Sequence, residues 1–138
     1  MEAKEKWGIH ELIPGDMIRV DAGRYYHIGI YIGNEQVIHF AGPEPNLLTD
    51  ASVAKIRQDS LDHFAMGRPI EVREYSIREK IKKRSGRKII SIAQSHLGEG
   101  GYDIIYNNCE HFANLCVFGV AFSSQIAQMR ALAEQGEK

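Results

Sequence analysis

Apolar and polar residues alternate most clearly over 26–40. Ile28, Ile30 and Ile32 fall on one face of a strand spanning 26–32, and Ile38 and Phe40 on one face of a second spanning 36–40. Gly33 and Asn34 between them mark a hairpin. Loop length decides which faces meet. A two-residue loop, Gly33-Asn34, sets Ile28 opposite His39 and mixes apolar with polar. A three-residue loop, Gly33-Asn34-Glu35, sets Ile30 opposite Ile38 and Ile28 opposite Phe40, which hairpins achieve with a left-handed residue in the loop. The expected register gathers the isoleucines on one face. By the same parity it brings His27 and His39 together on the other.

Pro14-Gly15-Asp16 reads as a turn leading into a strand over 17–20. The pattern is least regular over 41–66, where Pro43 and Pro45 mark a loop and Ser60 caps a short helix. Ile70 and Val72 alternate with charges in a strand over 69–75. Ser85 caps a helix running to Leu97, with Ile89, Ile92, Ala93 and Leu97 as its buried stripe and Gly98 as its stop. Gly100-Gly101 is a turn, and the apolar run 102–106 fits helix or strand. Asn108 is a strong N-cap for a helix over 109–118, with Phe112, Leu115 and Cys116 as its apolar stripe and Gly119 as its end. Ser123 or Ser124 caps a last helix. The expected fold is α+β, a small antiparallel sheet packed against helices. Residues 1–11 form an N-terminal extension, 12–120 one domain, and 121–138 a C-terminal helix and polar tail.

The 138 residues suffice for one domain with a core. A net charge of −1 makes no case for a nucleic-acid partner. The first residues are charged rather than signal-like, and the longest apolar run, 117–122, is too short to span a bilayer. Cys109 and Cys116 would stand about 10 Å apart along one helix, beyond disulfide reach and not at zinc-site spacing. A reduced, cytoplasmic protein is expected. One segment breaks the even distribution of charge. From Arg78 to Lys88 the chain carries Arg78, Lys80, Lys82, Lys83, Arg84, Arg87 and Lys88 against Glu79 alone. Such runs are mostly solvated surface. As a binding element this one could dock on anionic lipid or RNA, and peripheral contact with an anionic membrane is the expectation kept.

The stretch Asn107-Asn108-Cys109-Glu110-His111-Phe112 carries the chemistry. Cys109 opens a helix, where free N–H groups and the helix dipole favour a thiolate, so its pKa is expected below the ordinary value of about 8.5. A thiol with two remote imidazoles is a nucleophile with a base and a third polar group to hold the base's tautomer. Either His27 or His39 suits either role. Free cysteine is also commonly a small core hydrophobe, a reading that suits Cys116 better than Cys109. His111 points about 200° away from Cys109 on a helix and is expected to hydrogen-bond locally. Glu110 suits the positive helix end. His10, His63 and His96 read as surface or packing residues. No metal and no cofactor is expected.

Pro14-Gly15-Asp16, Tyr26-His27-Ile28-Gly29-Ile30-Tyr31-Ile32-Gly33, Val37-Ile38-His39 and Asn108-Cys109-Glu110-His111-Phe112-Ala113 together resemble the lecithin:retinol acyltransferase-like family. That family includes the H-rev107-type phospholipase/acyltransferases and small bacterial proteins, and the resemblance covers about 12–120. It lies in the NlpC/P60 papain-like superfamily, circularly permuted so that the histidines precede the cysteine. The resemblance implies that Cys109 is the acyl-accepting nucleophile, His27 its base and His39 the third polar member. It implies a binding role for Tyr25 at the oxyanion. The activity so implied is thiol-dependent acyl transfer or hydrolysis through a cysteine acyl-enzyme on a lipid ester, with a phospholipid as acyl donor. A cysteine peptidase or amidase, and a non-catalytic interaction module keeping the fold, are the alternatives. Vertebrate members carry a C-terminal membrane anchor, where this chain reads as a short polar-tailed helix. The segment between His39 and Cys109 is too compact for a large substrate-binding insertion. Retinoid specificity is therefore not carried over.

Overall fold

The computed structural model describes residues 5–42, 51–101 and 108–120. Alternating apolar positions become a six-stranded antiparallel sheet. Its strands are β1 (Lys6–Gly8), β2 (Met17–Asp21), β3 (Tyr26–Gly33), β4 (Gln36–Ala41), β5 (Lys55–Ser60) and β6 (Glu71–Glu74), in the order β1-β6-β2-β3-β4-β5. The α-helices among the described residues are α1 (Leu61–Ala65), α2 (Ile77–Lys82), α3 (Gly86–Ser95) and α4 (Cys109–Phe118). The fold class is α+β, as the hydrophobic pattern implies.

The β3–β4 hairpin has the expected register away from its tip. Ile30 pairs with Ile38, and Gly29 with His39. The tip differs from expectation. Gly33 pairs with Gln36, and the loop is the two residues Asn34 and Glu35, with φ of 51° and 56°. Positive φ at both central residues is what a primed two-residue hairpin turn requires. The extra residue that keeps the isoleucines in phase is Ile32, where the ladder shifts register between Tyr31 and Gly33. A β-bulge thus does the work assigned to a third loop residue.

The two sheet faces are covered differently. Met17, Ile28, Ile30, Ile38 and Phe40 pack against Ile89 and Ala93 of α3 and against Phe112, Ala113, Cys116 and Val117 of α4. On the reverse face Ile18, Val20, Val37 and Val72 pack with Phe64 and Ala65 of α1. With both faces covered, Val37 to Ala41 of β4 is buried residue by residue. A strand enclosed on both sides can carry polar side chains inward only if they find partners.

The helix ends follow local chemistry. The Asn108 side chain accepts hydrogen bonds from the N–H groups of Glu110 and His111, each at 3.0 Å, and Gly119 closes α4 with φ of 80°. α4 is buried around most of its circumference, wider than the stripe expected, and Leu115 is only half-buried. Ser85 caps α3, which ends at Ser95 rather than Leu97, so Leu97 is exposed. Ser60 caps α1 as expected. Three elements are not marked by a core-facing hydrophobic period: β1, β5 and α2. The proline loop at 43–45, the run 102–106 and the last helix lie outside the described residues.

Gly29 shows how tightly α1 closes on the hairpin. A Cβ there would lie 2.7 Å from Val37 Cγ1 and 2.9 Å from Phe64 Cε2. Such overpacking costs about 1–3 kcal/mol. Gly29→Ala is expected to lower unfolding free energy by that amount, read as a shift of the urea midpoint. An unchanged midpoint would show that α1 is free to move away.

Candidate active site

His27 on β3 and His39 on β4 are diagonal neighbours on the face that α1 covers, because Gly29 pairs with His39. Their rings are in hydrogen-bond contact, Nε2 of His27 lying 2.8 Å from Nδ1 of His39. The other nitrogen of His39, Nε2, lies 2.7 Å from Oδ2 of Asp59 on β5. The β4–β5 register explains this reach. Val37 pairs with Asp59 and His39 with Arg57, so Asp59 sits diagonally beside His39 on the same face. Phe64 of α1 lies against both imidazoles, at ring-centre distances of 5.2 and 5.5 Å. Both histidines are buried.

Cys109 opens α4 and is also buried. Its Sγ is 3.9 Å from the Tyr26 carbonyl oxygen and interacts with the N–H of Ile28. The thiol therefore rests against the main chain on either side of His27. Nδ1 of His27 is buried and has no hydrogen-bond partner among the described residues. Tyr25 stands edge-on to the His27 ring, 6.3 Å between centres, and lies within electrostatic range of Cys109. A cavity of about 40 Å³ adjoins His27, His39 and Tyr25, walled also by His63, Met66 and Arg68.

Burial sets the protonation states. It lowers the His27 pKa to about 3, with the neighbouring His39 adding to the shift. His39 is likewise lowered by burial, against the opposing pull of Asp59. Asp59 is held below the usual carboxylate range, first by the hydrogen bond from His39. Burial pushes the Cys109 thiol up to about 12, despite favourable N–H groups of Ile28, Glu110 and Cys109 itself. The expected thiolate is thus corrected: at rest the thiol and both imidazoles are neutral. Cys116 is driven to about 12 by the same cause, so a low thiol pKa does not set Cys109 apart. Burial also raises Tyr25 to about 12 and keeps its hydroxyl a donor.

Four histidines lie outside the pair. Nδ1 of His111 accepts from the Asn108 N–H at 3.0 Å, a local bond as expected. His10 pairs with Glu74 and His96 with Glu99. His63 lines the cavity. Sequence reasoning missed Asp59 altogether. Its one signal was position: an acid directly before the recognised Ser60 cap, in a segment, Lys55-Ile56-Arg57-Gln58-Asp59, with a single apolar residue.

The His27 shift has a consequence for stability. In the unfolded chain its imidazole binds a proton below about pH 6.5, whereas in the fold it stays neutral down to about 3. The unfolded state then holds more protons, so stability is complete above pH 6.5 and falls as pH drops toward 3. Urea midpoints across that window are expected to decline less steeply in His27→Gln than in wild type. Parallel curves would show that His27 is not buried as a neutral group.

Comparison with known proteins covers every residue of this arrangement. A family model described as lecithin retinol acyltransferase matches residues 10–122. The chain is 29% identical to lecithin retinol acyltransferase of Rattus norvegicus, over 88% of this chain and 61% of the rat protein's length. It is 32% identical to phospholipase A and acyltransferase 3 of Homo sapiens, over 86% of this chain and 78% of that protein. The Mus musculus protein of the same name is 33% identical. The stretch matched by the family model runs from before β2 to the end of α4 and includes Tyr25, His27, His39, Asp59 and Cys109. With the family model spanning most of the sequence, the chain belongs to the lecithin retinol acyltransferase family.

Proposed function

We propose that the protein transfers or hydrolyses acyl groups of a lipid ester through a thioester on Cys109. The observation that carries this reading is the buried His27–His39 pair with the Cys109 thiol resting against the main chain on both sides of His27. The names of the relatives, acyltransferase and phospholipase A, support the lipid ester as substrate. In the first step the Cys109 sulfur forms a bond to the ester carbonyl carbon while His27 takes the thiol proton. The carbonyl oxygen becomes an oxyanion, for which the Tyr25 hydroxyl and the N–H groups opening α4 are donors. The ester C–O bond then breaks, and His27 returns the proton to the departing alcohol oxygen. An acceptor alcohol, amine or water next attacks the thioester and gives its proton to His27. Collapse releases the acylated acceptor and restores the thiol. Because the resting pair is neutral, the thiolate arises within the attack step and is not stored beforehand.

A diacyl phospholipid is the test substrate. Peptide mapping by mass spectrometry is expected to find one acyl chain on the Cys109 peptide, released by hydroxylamine. Cys109→Ala should lose the adduct and reduce turnover on the order of 10³-fold or more. Cys116→Ala should keep both and cost only about 1 kcal/mol of stability. Wild-type turnover by Cys109→Ala would end the nucleophile reading. An adduct from a peptide amide and none from phospholipid would favour the peptidase.

We also propose that 78–88 docks on an anionic bilayer surface. Among the described residues no helix is long and apolar enough to cross a membrane, but α2 is turned with its apolar side out. Glu79 binds Arg73 and, with Ser76, forms a capping box, so the polar side of α2 is its anchor. At about 100° per residue, Ile77 and Ile81 then point outward, and they are 82% and 80% exposed. Arg78, Lys80 and Lys82 flank them. Each isoleucine gains about 1.5–3 kcal/mol on full burial, and each cation about 1 kcal/mol near an anionic leaflet. Sedimentation with phosphatidylserine-containing vesicles should retain wild type. Ile77→Asp/Ile81→Asp is expected to bind at least about tenfold more weakly, and vesicles of phosphatidylcholine alone should retain little of either. Equal retention of wild type and variant would remove the surface from consideration, as would capture only by an acidic protein.

A further inference from the structure

Asp59, His39 and His27 form one line of hydrogen-bond contacts, at 2.7 Å and 2.8 Å, that ends on a buried ring nitrogen without a partner among the described residues. We propose that Asp59 is a positioning residue that sets the tautomers of both imidazoles and so makes Nδ1 of His27 the base. The inference rests on the reading of Cys109 as nucleophile and names the atom that serves it.

The direction of the line follows from donor and acceptor counts. An ionised carboxylate only accepts, so the contact with Asp59 requires a proton on Nε2 of His39. A neutral His39 has one ring proton, and its Nδ1 is then a bare lone pair. That atom accepts from His27, which must place its own single proton on Nε2. Nδ1 of His27 is left unprotonated. It is also the ring nitrogen that the fold leaves unpartnered.

The contact between the two rings does not choose this polarity. The same 2.8 Å separation is satisfied if Nδ1–H of His39 donates to Nε2 of His27. In that arrangement Nδ1 of His27 carries the proton and cannot take one from a thiol. Only the acid at the end of the line distinguishes the two. Other charged or titratable groups facing Asp59 are Arg57 on its own strand, 3.6 Å away, and His63 on α1. Both favour the ionised carboxylate and hence the same polarity. When His27 receives the thiol proton, Asp59 is the negative charge aligned behind it, acting through His39.

Nitrogen-15 NMR of histidine-labelled protein reads the tautomers directly, without substrate. In wild type both His27 and His39 are expected as the Nε2–H tautomer. In Asp59→Asn the amide can donate as well as accept, and His27 is expected to lose its single tautomer. Turnover should fall on the order of 10²–10⁴-fold with KM changed by less than about threefold, as tautomer loss does in a serine-protease triad. Asp59→Glu should restore part of both signals. Unaltered urea midpoints would show that the variants fold. A proton found on Nδ1 of wild-type His27 overturns the inference, and so do unchanged tautomers and turnover in Asp59→Asn. These spectra are independent of the acyl adduct on Cys109, so the two readings can fail separately.

Discussion

Everything in the site depends on the register that sets Gly29 against His39 and Ile30 against Ile38. Side chains alternate faces with a period of two, so a slip by one residue would move the isoleucines of one strand out of the core. The bulge at Ile32 absorbs the mismatch between a two-residue turn and this pairing. The penalty for slipping is the loss of packing for Ile28 and Ile30 of β3, or for Ile38 and Phe40 of β4, each worth about 1.5–3 kcal/mol when fully buried. The imidazoles add little to that selection. Their adjacency is inherited from hydrophobic packing on the opposite face.

The same enclosure governs the electrostatics. A helix N-terminus stabilises a negative charge by about 0.3–1 kcal/mol, and up to about 2 kcal/mol where partly buried. Removing a charge from water costs several kcal/mol even after relaxation. Burial therefore outweighs the helix start at Cys109, and the thiol remains protonated. The neutral state has an advantage for the imidazoles. A protonated His27 could not accept the thiol proton, and burial keeps it unprotonated at any pH near neutrality. On the proposed mechanism the helix start acts later: its N–H groups are donors for an oxyanion formed beside Cys109, and their effect grows as that charge appears.

Hydrophobic period and capping chemistry made β2, the β3–β4 hairpin, α1, α3 and α4 legible in the sequence. Their apolar faces are buried, and their caps are Asn, Ser and Gly in ordinary roles. β1 and β5 were not legible because they are the two edges of the sheet, and edge strands are kept short or polar. β5 has Ile56 as its one buried apolar side chain. α2 escaped notice for the opposite reason: its isoleucines face outward, so its period signals no core contact. These omissions fixed what could be read of the site. The two histidines and Cys109, the candidate catalytic set, sit on legible elements. Asp59 sits on an illegible edge and was missed. The thiol's protonation was misjudged because the helix start is visible in sequence and the depth of burial is not.

The molecule keeps its two proposed activities apart. Cys109 stands at the N-terminal end of α4, while near the other end Arg84, which follows α2, donates its N–H to the Val117 carbonyl at 2.9 Å. Eight residues of helix separate these points, about 12 Å along the axis. The side chains that hold α2 in place, Arg73 and Glu79, make no contact with the histidine line. The proposed surface attachment and the proposed acyl chemistry are therefore expected to answer to separate substitutions. A loss of turnover on bilayers that is absent on dispersed short-chain lipid belongs to α2, and a loss on both belongs to Cys109 or to the line from Asp59 to His27.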